Sequence, residues 1–368
     1  MVGIAARNRL SLSVVEALLQ PKGTLYTRMD SPLRGSAIVA IDRLDPRGRQ
    51  MMAWLRDQGI EPTALQAMGS DASPRRYFRM EMAGATRVVM DAPDQPSACR
   101  AFCQIRALMA RAGIHVPVIH AAAPDNGFLL LEDLGSRDYL SALGGPRDEP
   151  LLRAAIDALV QLQGRADGRD LPRFDADRID AELALFPDWY VRRHLGVEPD
   201  AAWWSRWAAG TGVLRQAMLA QPTVVVHRDY MVRNLLVATP NPGVIDFQDA
   251  LAGPVTYDLA SLLRDAFFSL TPEQEQSLIE YYRRQAEAAG IPLPTDLSRA
   301  LDRTAAQRHL KVLGIFARLY HRDHKPGYLA DAPRFLDYLH REIGGDPAGQ
   351  DLAALVAELP RPERTASP

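Results

Sequence analysis

Residues 224–258 read VVVHRDYMVRNLLVATPNPGVIDFQDALAGPVTYD, an apolar run followed by polar residues at regular distances along the chain. Three valines end at His227, and Asn234 follows Asp229 by five positions. After Asn234, an apolar run, a loop rich in Pro, Asn and Gly, and a second apolar pair lead to Asp246. This pattern predicts a β-hairpin, which would bring Asn234 and Asp246 to the same open end.

The spacing H-x-D-x-x-x-x-N is that of a kinase catalytic loop. It predicts that Asp229 is the catalytic base, which accepts the proton of an acceptor hydroxyl. Asn234 and Asp246 carry the oxygen ligands that Mg²⁺ prefers, so we predict that they hold the metal. His227 is predicted to be a packed, hydrogen-bonded structural residue. Asp258 either caps the helix that follows it or, as we favour, braces the catalytic-loop backbone as a buried acceptor.

The chain contains the same tripeptide a second time, at residues 321–323. There, Tyr328 rather than Asn lies five residues after Asp323, and no Asp-Phe pair follows. Only the first copy has the whole context that the motif requires. We therefore expect the second copy to take no part in catalysis.

Five segments carry a family resemblance: SDASPRRYFRM at 70–80, VVMDAP at 88–93, FLLLEDLG at 128–135, HRDYMVRNLL at 227–236 and IDFQDALAGPVTYDLASLL at 245–263. They resemble the aminoglycoside phosphotransferase and choline kinase family, and within it a bacterial group that phosphorylates the C1 hydroxyl of N-acetylmuramate and N-acetylglucosamine in cell-wall recycling. The likeness covers about residues 51–360. It implies ATP and Mg²⁺ as cofactors and a small-molecule sugar as substrate. Choline- or homoserine-type kinases, aminoglycoside kinases and a pseudokinase-like nucleotide-binding regulator are the alternatives.

The resemblance also implies an α+β, bilobal, protein-kinase-like fold. We expect an N-terminal extension at residues 1–50, a small nucleotide-binding lobe at 51–133, a large, mainly helical lobe at 134–360 and a disordered tail at 361–368. The extended segment between the lobes would supply the backbone donor and acceptor that an adenine ring needs. The adenine-contact candidates are Glu132, Asp133 and Leu134.

The small lobe departs from the kinase pattern in one respect. Most such enzymes hold the nucleotide phosphates with a strand Lys, which pairs with a Glu on the next helix. The strand at 87–91 has no Lys, and the helix predicted at 97–112 has no acidic residue. We therefore predict that Arg76, with Arg75 and Arg79 as alternatives, holds the phosphates together with the adjoining loop, through Ser70, Asp71, Ala72 and Ser73. On a strand, Arg75 and Arg79 share one face and Arg76 takes the other.

The acceptor site is predicted at residues 179–196, IDAELALFPDWYVRRHLG. Trp189 and Tyr190 could offer an aromatic face to a sugar, and Glu182 or Asp188 could accept its hydroxyls. Arg233 is a candidate for the lactyl carboxylate of N-acetylmuramate, with Arg192 and Arg193 as alternatives. Apolar residues also recur here at helical spacing, so core packing is the alternative.

Composition excludes several other classes. The 368 residues carry a net charge of −2, without the basic excess of a nucleic-acid-binding protein. Two cysteines alone do not indicate a zinc site, and the absence of a P-loop motif excludes a P-loop NTPase. No apolar run is long enough for a membrane span. We expect a cytoplasmic enzyme, and the sequence says nothing about partner proteins.

Overall fold

The computed structural model describes residues 38–39, 45–61, 64–68, 75–82, 84–93, 95–145 and 148–360. It has a small lobe built on an antiparallel sheet and a larger, mainly helical lobe, which confirms the predicted α+β bilobal class. Most of the predicted extension, the predicted tail and the four loop residues Ser70, Asp71, Ala72 and Ser73 lie outside the described residues. The boundary at 133/134 stays a prediction.

The described strands of the small lobe form one antiparallel sheet in the order β1-β2-β3-β4-β6-β5. They are β1 Ile38–Val39, β2 Ala64–Met68, β3 Arg76–Met82, β4 Ala85–Asp91, β5 Ile119–Ala123 and β6 Phe128–Glu132. Helix α1, Pro46–Asp57, and helix α2, Pro96–Arg111, flank this sheet.

The two faces of the small-lobe sheet pack differently, because side chains alternate along a strand. The face that bears Val89 packs against α1, in a cluster with Met51, Met52, Leu55, Phe78, Met80 and Leu130. The face that bears Val88 and Met90 packs against α2, and its cluster includes Val225 and Phe247 of the large lobe. The Val88 face is therefore the one turned toward the large lobe.

The large lobe consists of helices and two short antiparallel ladders. Its helices are α3 Tyr139–Ala142, α4 Asp148–Arg165, α5 Ala176–Leu183, a π-helical segment Phe186–His194, α6 Ala201–Leu219, α7 Tyr257–Leu263, α8 Pro272–Ala288, α9 Leu297–His321, α10 Ala332–Ile343 and α11 Gln350–Ala357. The ladders pair β7 Thr223–Val226 with β10 Leu251–Pro254, and β8 Leu235–Leu236 with β9 Gly243–Val244. The second ladder is the hairpin predicted between Asn234 and Asp246.

One helix differs from the expectation. The apolar spacing at 179–195 indicates a single helix, but α5 ends at Leu183 and a π-helical segment begins at Phe186. Pro187 has no N–H to donate to the preceding turn, so an unbroken α-helical ladder cannot run through this point.

Helix α9 forms the centre of the large lobe and is buried along most of its length. At Gly314 a Cβ would lie 2.4 Å from the backbone of Leu185, so only glycine allows this close approach. Among the described helices, α9 included, none combines the length and apolar character that a membrane crossing requires.

Candidate active site

Asp258 holds the start of the catalytic-loop candidate, residues 227–234. It lies in α7, fully buried, and its carboxylate accepts the backbone N–H of His227 at 2.6 Å and of Arg228 at 3.0 Å. These are the bracing contacts that the sequence predicts for Asp258. Burial raises the pKa of Asp258 to about 7, although both N–H donors favour the carboxylate.

Further hydrogen bonds hold the rest of the loop. The side-chain amide of Asn234 donates to the backbone carbonyl of Asp229 at 2.8 Å. The carboxylate of Asp265, also buried, accepts the backbone N–H of Val232 at 3.0 Å. Asp229 itself is half-buried. The backbone on both sides of the base candidate Asp229 is therefore fixed by side-chain hydrogen bonds.

Arg228 is held in a left-handed conformation, with φ of 78°. The guanidinium of Arg308 donates to the carbonyl of Arg228 at 3.1 Å, and the guanidinium of Arg228 donates to Glu182 at 2.6 Å. Non-glycine residues adopt this conformation only where their surroundings over-determine it. These two contacts supply that constraint directly before Asp229.

His227 connects the loop to the strand that leads to Asp246. Its Nδ1 accepts the N–H of Asp229 at 3.3 Å, and its Nε2 lies 3.1 Å from the carbonyl of Ile245. Both contacts are satisfied by the neutral ring with its proton on Nε2. Complete burial lowers the pKa of His227 to about 4, which keeps the ring neutral. This geometry fits the structural role predicted for His227.

Asp246 follows the β8–β9 hairpin, whose ladder continues in the hydrogen bond from the N–H of Ile245 to the carbonyl of Asn234 at 3.0 Å. Asp246 has a φ of 64°, and its Oδ1 accepts a hydrogen bond from Gln248 at 2.9 Å. Its buried Oδ2 has no hydrogen-bond partner among the described residues. Burial raises the pKa of Asp246 to about 6, and Arg75 opposes that rise.

The chemistry of Asp246 and Asn234 fits a magnesium ion. An unsatisfied, buried carboxylate oxygen is the kind of ligand that Mg²⁺ uses, and a buried charge of this kind calls for a cation. No group of three or more His, Cys, Asp or Glu side chains suited to a metal occurs in the described part of the chain. A magnesium ion here would therefore complete its shell with water and nucleotide phosphates, as it commonly does.

Three neighbouring arginines on and beside β3 contact different carboxylates, and no two of them share one. Arg79 makes a bidentate contact with Asp133, at 2.7 and 2.9 Å. Arg76 donates to Asp91 at 2.9 Å and to Asp45 at 2.7 Å. Arg75 is buried, and its Nη2 lies 3.6 Å from Oδ1 of Asp246.

The strand register explains this division and places Arg75 and Arg76 on opposite faces of the sheet, so phosphate binding by Arg76 stays a prediction. Tyr77 lies opposite Met90 and Phe78 opposite Val89, so odd-numbered residues of β3 share the face turned toward the large lobe. Arg76 is on the other face, beside α1, where acidic side chains already engage it. Arg75, and not Arg76, lies in the cleft beside Asp246.

The adenine candidates lie where the chain leaves β6. The N–H and carboxylate of Glu132 bond with the backbone of Val118, at 2.8 and 3.1 Å. The carboxylate of Asp133 accepts the N–H of Gly135 at 3.0 Å as well as the Arg79 contact. Burial alone would raise the pKa of Asp133, but the hydrogen bonds from Arg79 and Gly135 lower it. Leu134 packs beside Gly243 of the hairpin, and the adenine contacts stay a prediction.

The structure changes the role of two acceptor candidates. Glu182 is buried, with hydrogen bonds from Arg228 and Gln307 and an ion pair with Lys311. Burial alone would raise its pKa, but Lys311 and Arg228 lower the pKa of Glu182 to about 2. Both carboxylate oxygens of Glu182 thus accept hydrogen bonds from other residues of the protein. A sugar hydroxyl would have to displace one of these partners.

Tyr190 is also in the core and not on a surface. It is 1% exposed, and its ring lies between those of Phe186 and His194, at centroid distances of 5.3 and 5.5 Å. It is therefore not positioned to stack on a sugar. Trp189 is half-buried, and Arg233 lies 4.1 Å over the ring of Phe267. For these two residues, contact with the acceptor stays a prediction.

Sequence reasoning missed the contribution of helix α9. Its polar residues Thr304, Gln307, Arg308 and Lys311 recur at intervals of three and four, so they lie along one side of the helix. Gln307, Arg308 and Lys311 contact Glu182 or the catalytic loop. Polar residues at helical spacing are a signal that could have identified this stripe.

Residues 64–294 match a family model described as the phosphotransferase enzyme family. A curated N-acetylmuramate/N-acetylglucosamine kinase from Pseudomonas putida is 46% identical over 329 residues, which cover 86% of this chain and 97% of that protein. A solved choline/ethanolamine kinase family protein from Mesorhizobium loti has a TM-score of 0.58 at 17% identity, covering 84% of this chain and 99% of the other. An ADP-bound aminoglycoside phosphotransferase has a TM-score of 0.57 at 14% identity, with 79% and 98% covered. The predicted family resemblance and kinase-like fold are confirmed.

Proposed function

The chain belongs to the phosphotransferase enzyme family, and we propose that it is an ATP- and magnesium-dependent kinase of N-acetylmuramate, N-acetylglucosamine or both. The acceptor is the anomeric C1 hydroxyl, and the product enters the recycling of peptidoglycan sugars. The identity to the Pseudomonas putida kinase over most of both chains supports the sugar assignment.

One observation carries the proposed chemistry: Asp229 and Asp246 are joined through a single buried histidine. His227 contacts the N–H of Asp229 and the carbonyl of Ile245, next to Asp246. This histidine therefore connects the backbone of the base candidate to the strand that leads to the metal-ligand candidate. Phosphoryl transfer depends mainly on such positioning and on charge neutralisation.

In the proposed reaction, Asp229 orients the C1 hydroxyl and accepts its proton. The C1 oxygen forms a bond to the γ-phosphorus, the bond from that phosphorus to the β–γ bridging oxygen breaks, and ADP leaves. Asp246 and Asn234 hold the magnesium ion, which neutralises charge on the phosphates when bound. The backbone of residues 132–134 binds the adenine.

The alternatives fit less well. A choline site would combine exposed aromatic rings with acids, but Tyr190 is buried and Glu182 is committed to Arg228. An aminoglycoside site would be predominantly acidic, whereas residues 179–196 mix both charges. A pseudokinase-like regulator would have no need for Asp229, Asn234 and Asp246 in one connected arrangement.

The test is ATP consumption over a panel of N-acetylmuramate, N-acetylglucosamine, choline, homoserine and kanamycin. The matched control is the methyl glycoside of N-acetylglucosamine, in which the C1 oxygen is blocked while the other hydroxyls remain. We expect turnover of the free amino sugar and none of the glycoside. Equal turnover of both would exclude the anomeric position, and turnover of choline alone would exclude the sugar.

A further inference from the structure

Glu182 is a buried carboxylate that contacts the catalytic loop without being part of it. It lies on α5, is 4% exposed, and accepts a hydrogen bond from the guanidinium of Arg228 at 2.6 Å. We propose that Glu182 is a positioning residue of the transfer reaction, which acts through Arg228 to hold Asp229 in place for proton transfer. This inference rests on the proposed function and adds to it a residue that acts on the base without contacting the substrate.

The first step of the argument is the place of Arg228, directly before the base candidate. The carbonyl of Arg228 and the N–H of Asp229 belong to one peptide unit. That carbonyl accepts from Arg308 at 3.1 Å, and that N–H donates to Nδ1 of His227 at 3.3 Å. Arg228 has a φ of 78°, which a non-glycine residue keeps only where its surroundings hold it. The contact with Glu182 holds its side chain, so the backbone and the side chain of Arg228 are fixed from different segments.

The second step is the cost of burying Glu182. Besides Arg228, it has a hydrogen bond from Gln307 at 3.0 Å and an ion pair with Lys311 at 3.5 Å. Replacement of a buried ion pair by apolar residues of similar volume is often neutral or stabilising. The packing of α5 beside α9 therefore does not by itself require a carboxylate, whereas the fixing of Arg228 does.

The third step is which partner depends on Glu182. Lys311 is 12% exposed and also donates to the hydroxyl of Tyr257 at 3.0 Å, so it keeps a partner if Glu182 is removed. The buried Nε of Arg228 has no hydrogen-bond partner among the described residues, and its Nη2 bonds to Glu182. The loss of Glu182 would thus fall mainly on Arg228, next to the base candidate.

Two substitutions of Glu182 separate its charge from its hydrogen bonds. Glu182→Ala removes both, whereas Glu182→Gln keeps the shape and the acceptor for Arg228. Oε1 of Gln307 has no hydrogen-bond partner within the described part of the chain, so its amide can turn and accept from the amide introduced at 182. With N-acetylglucosamine and ATP, Glu182→Ala should lower kcat roughly 10- to 100-fold, with the KM of the sugar and the ADP affinity close to wild type. Glu182→Gln should recover most of that loss.

Two further variants separate positioning from stability. Asp346→Ala is the matched control, because Asp346 is another buried carboxylate paired with an arginine of α9, Arg303, at 2.7 Å. It should lower the stability and retain the turnover. The double variant Arg228→Met/Glu182→Met removes the pair without leaving a buried charge, so it should resist denaturant better than Glu182→Ala. Its turnover should nevertheless stay as low as that of Glu182→Ala.

Three kinetic results would overturn the proposal. The first is turnover that returns together with stability in the double variant, and the second is an equal loss of turnover in Asp346→Ala. The third is a raised KM of the sugar at unchanged kcat in Glu182→Ala, because Glu182 would then bind the acceptor itself.

Hydrogen exchange of residues 227–234, measured without sugar, gives a readout that does not depend on the sugar assignment. Exchange in this segment should be faster in Glu182→Ala than in the wild type, and unchanged in Asp346→Ala. Exchange at the wild-type rate in Glu182→Ala would also overturn the proposal. If the wild type turned over no amino sugar, the proposed function would fail, and the exchange comparison would still decide the role of Glu182.

Discussion

The two His-Arg-Asp tripeptides of this chain have the same composition and very different surroundings. At 227–229, the histidine is fully buried and bridges two segments, and the arginine reaches Glu182 on another helix. At 321–323, at the end of α9, Arg322 donates to the neighbouring Asp323 at 2.8 Å, and the buried Nε2 of His321 has no hydrogen-bond partner among the described residues. The two copies therefore differ in their tertiary contacts and not in their sequence. The copy at 227–229 is held by residues from other segments, whereas the contact at 321–323 is made within the tripeptide.

The largest expected effect is on turnover, and it should distinguish Asp229 from Asp323. Asp229→Asn should lower turnover by roughly 10²-fold or more, because it removes the proposed base while retaining the shape of the side chain. Asp323→Asn should stay close to wild type. Steady-state kinetics of both variants with N-acetylglucosamine and ATP is the measurement, with ADP affinity as the control for folding. Comparable losses in the two variants would abolish the distinction between the copies.

The next prediction concerns the hairpin that follows only the first tripeptide. Asp246→Ala should raise the magnesium concentration needed for half-maximal turnover by roughly tenfold or more, because it removes the charged one of the two proposed ligands. Asn234→Ala should raise it less, since the amide is a neutral ligand. Magnesium titrations at saturating ATP measure both. An unchanged magnesium requirement in Asp246→Ala would remove the metal from this hairpin.

A smaller effect, on stability, should distinguish the two histidines. The pKa of His227 is lowered to about 4 by burial, so the unfolded chain binds more protons between about pH 6.5 and pH 4. The stability that depends on neutral His227 is therefore present above about pH 6.5 and is lost as the pH falls through that window. His227→Leu should lower the free energy of unfolding at pH 7.5 by about 1 to 3 kcal/mol, since the carbonyl of Ile245 loses its donor.

His321→Leu is the matched control for this measurement. His321 is half-buried and its Nε2 makes no hydrogen bond among the described residues, so its replacement by Leu removes no hydrogen bond and should lower the free energy of unfolding at pH 7.5 by no more than roughly 0.5 kcal/mol. Denaturant unfolding at several pH values checks both variants. Equal destabilisation by the two substitutions would mean that the contact with Ile245 contributes nothing measurable.

Much of the arrangement of residues 227–258 was predictable, because it depends on spacings and turns within that one segment. The positions of Asp229, Asn234 and Asp246 follow from spacing and from the hairpin between them, and Asp258 follows from its place after that hairpin. The partners of Glu182 and Tyr190 were not predictable in this way. Apolar and polar spacing within one helix cannot tell which of its faces meets another helix and which meets a ligand.

The arginines of β3 show where sequence reasoning ends. Strand alternation alone established that Arg75 and Arg79 share a face and that Arg76 does not. Alternation says nothing about which face is turned toward the cleft, because that depends on where two distant helices pack. In the folded chain α1 covers the face of Arg76 and the large lobe meets the face of Arg75. Residue types and spacings thus specify the chemistry, whereas the packing of distant segments selects the side chains that carry it out.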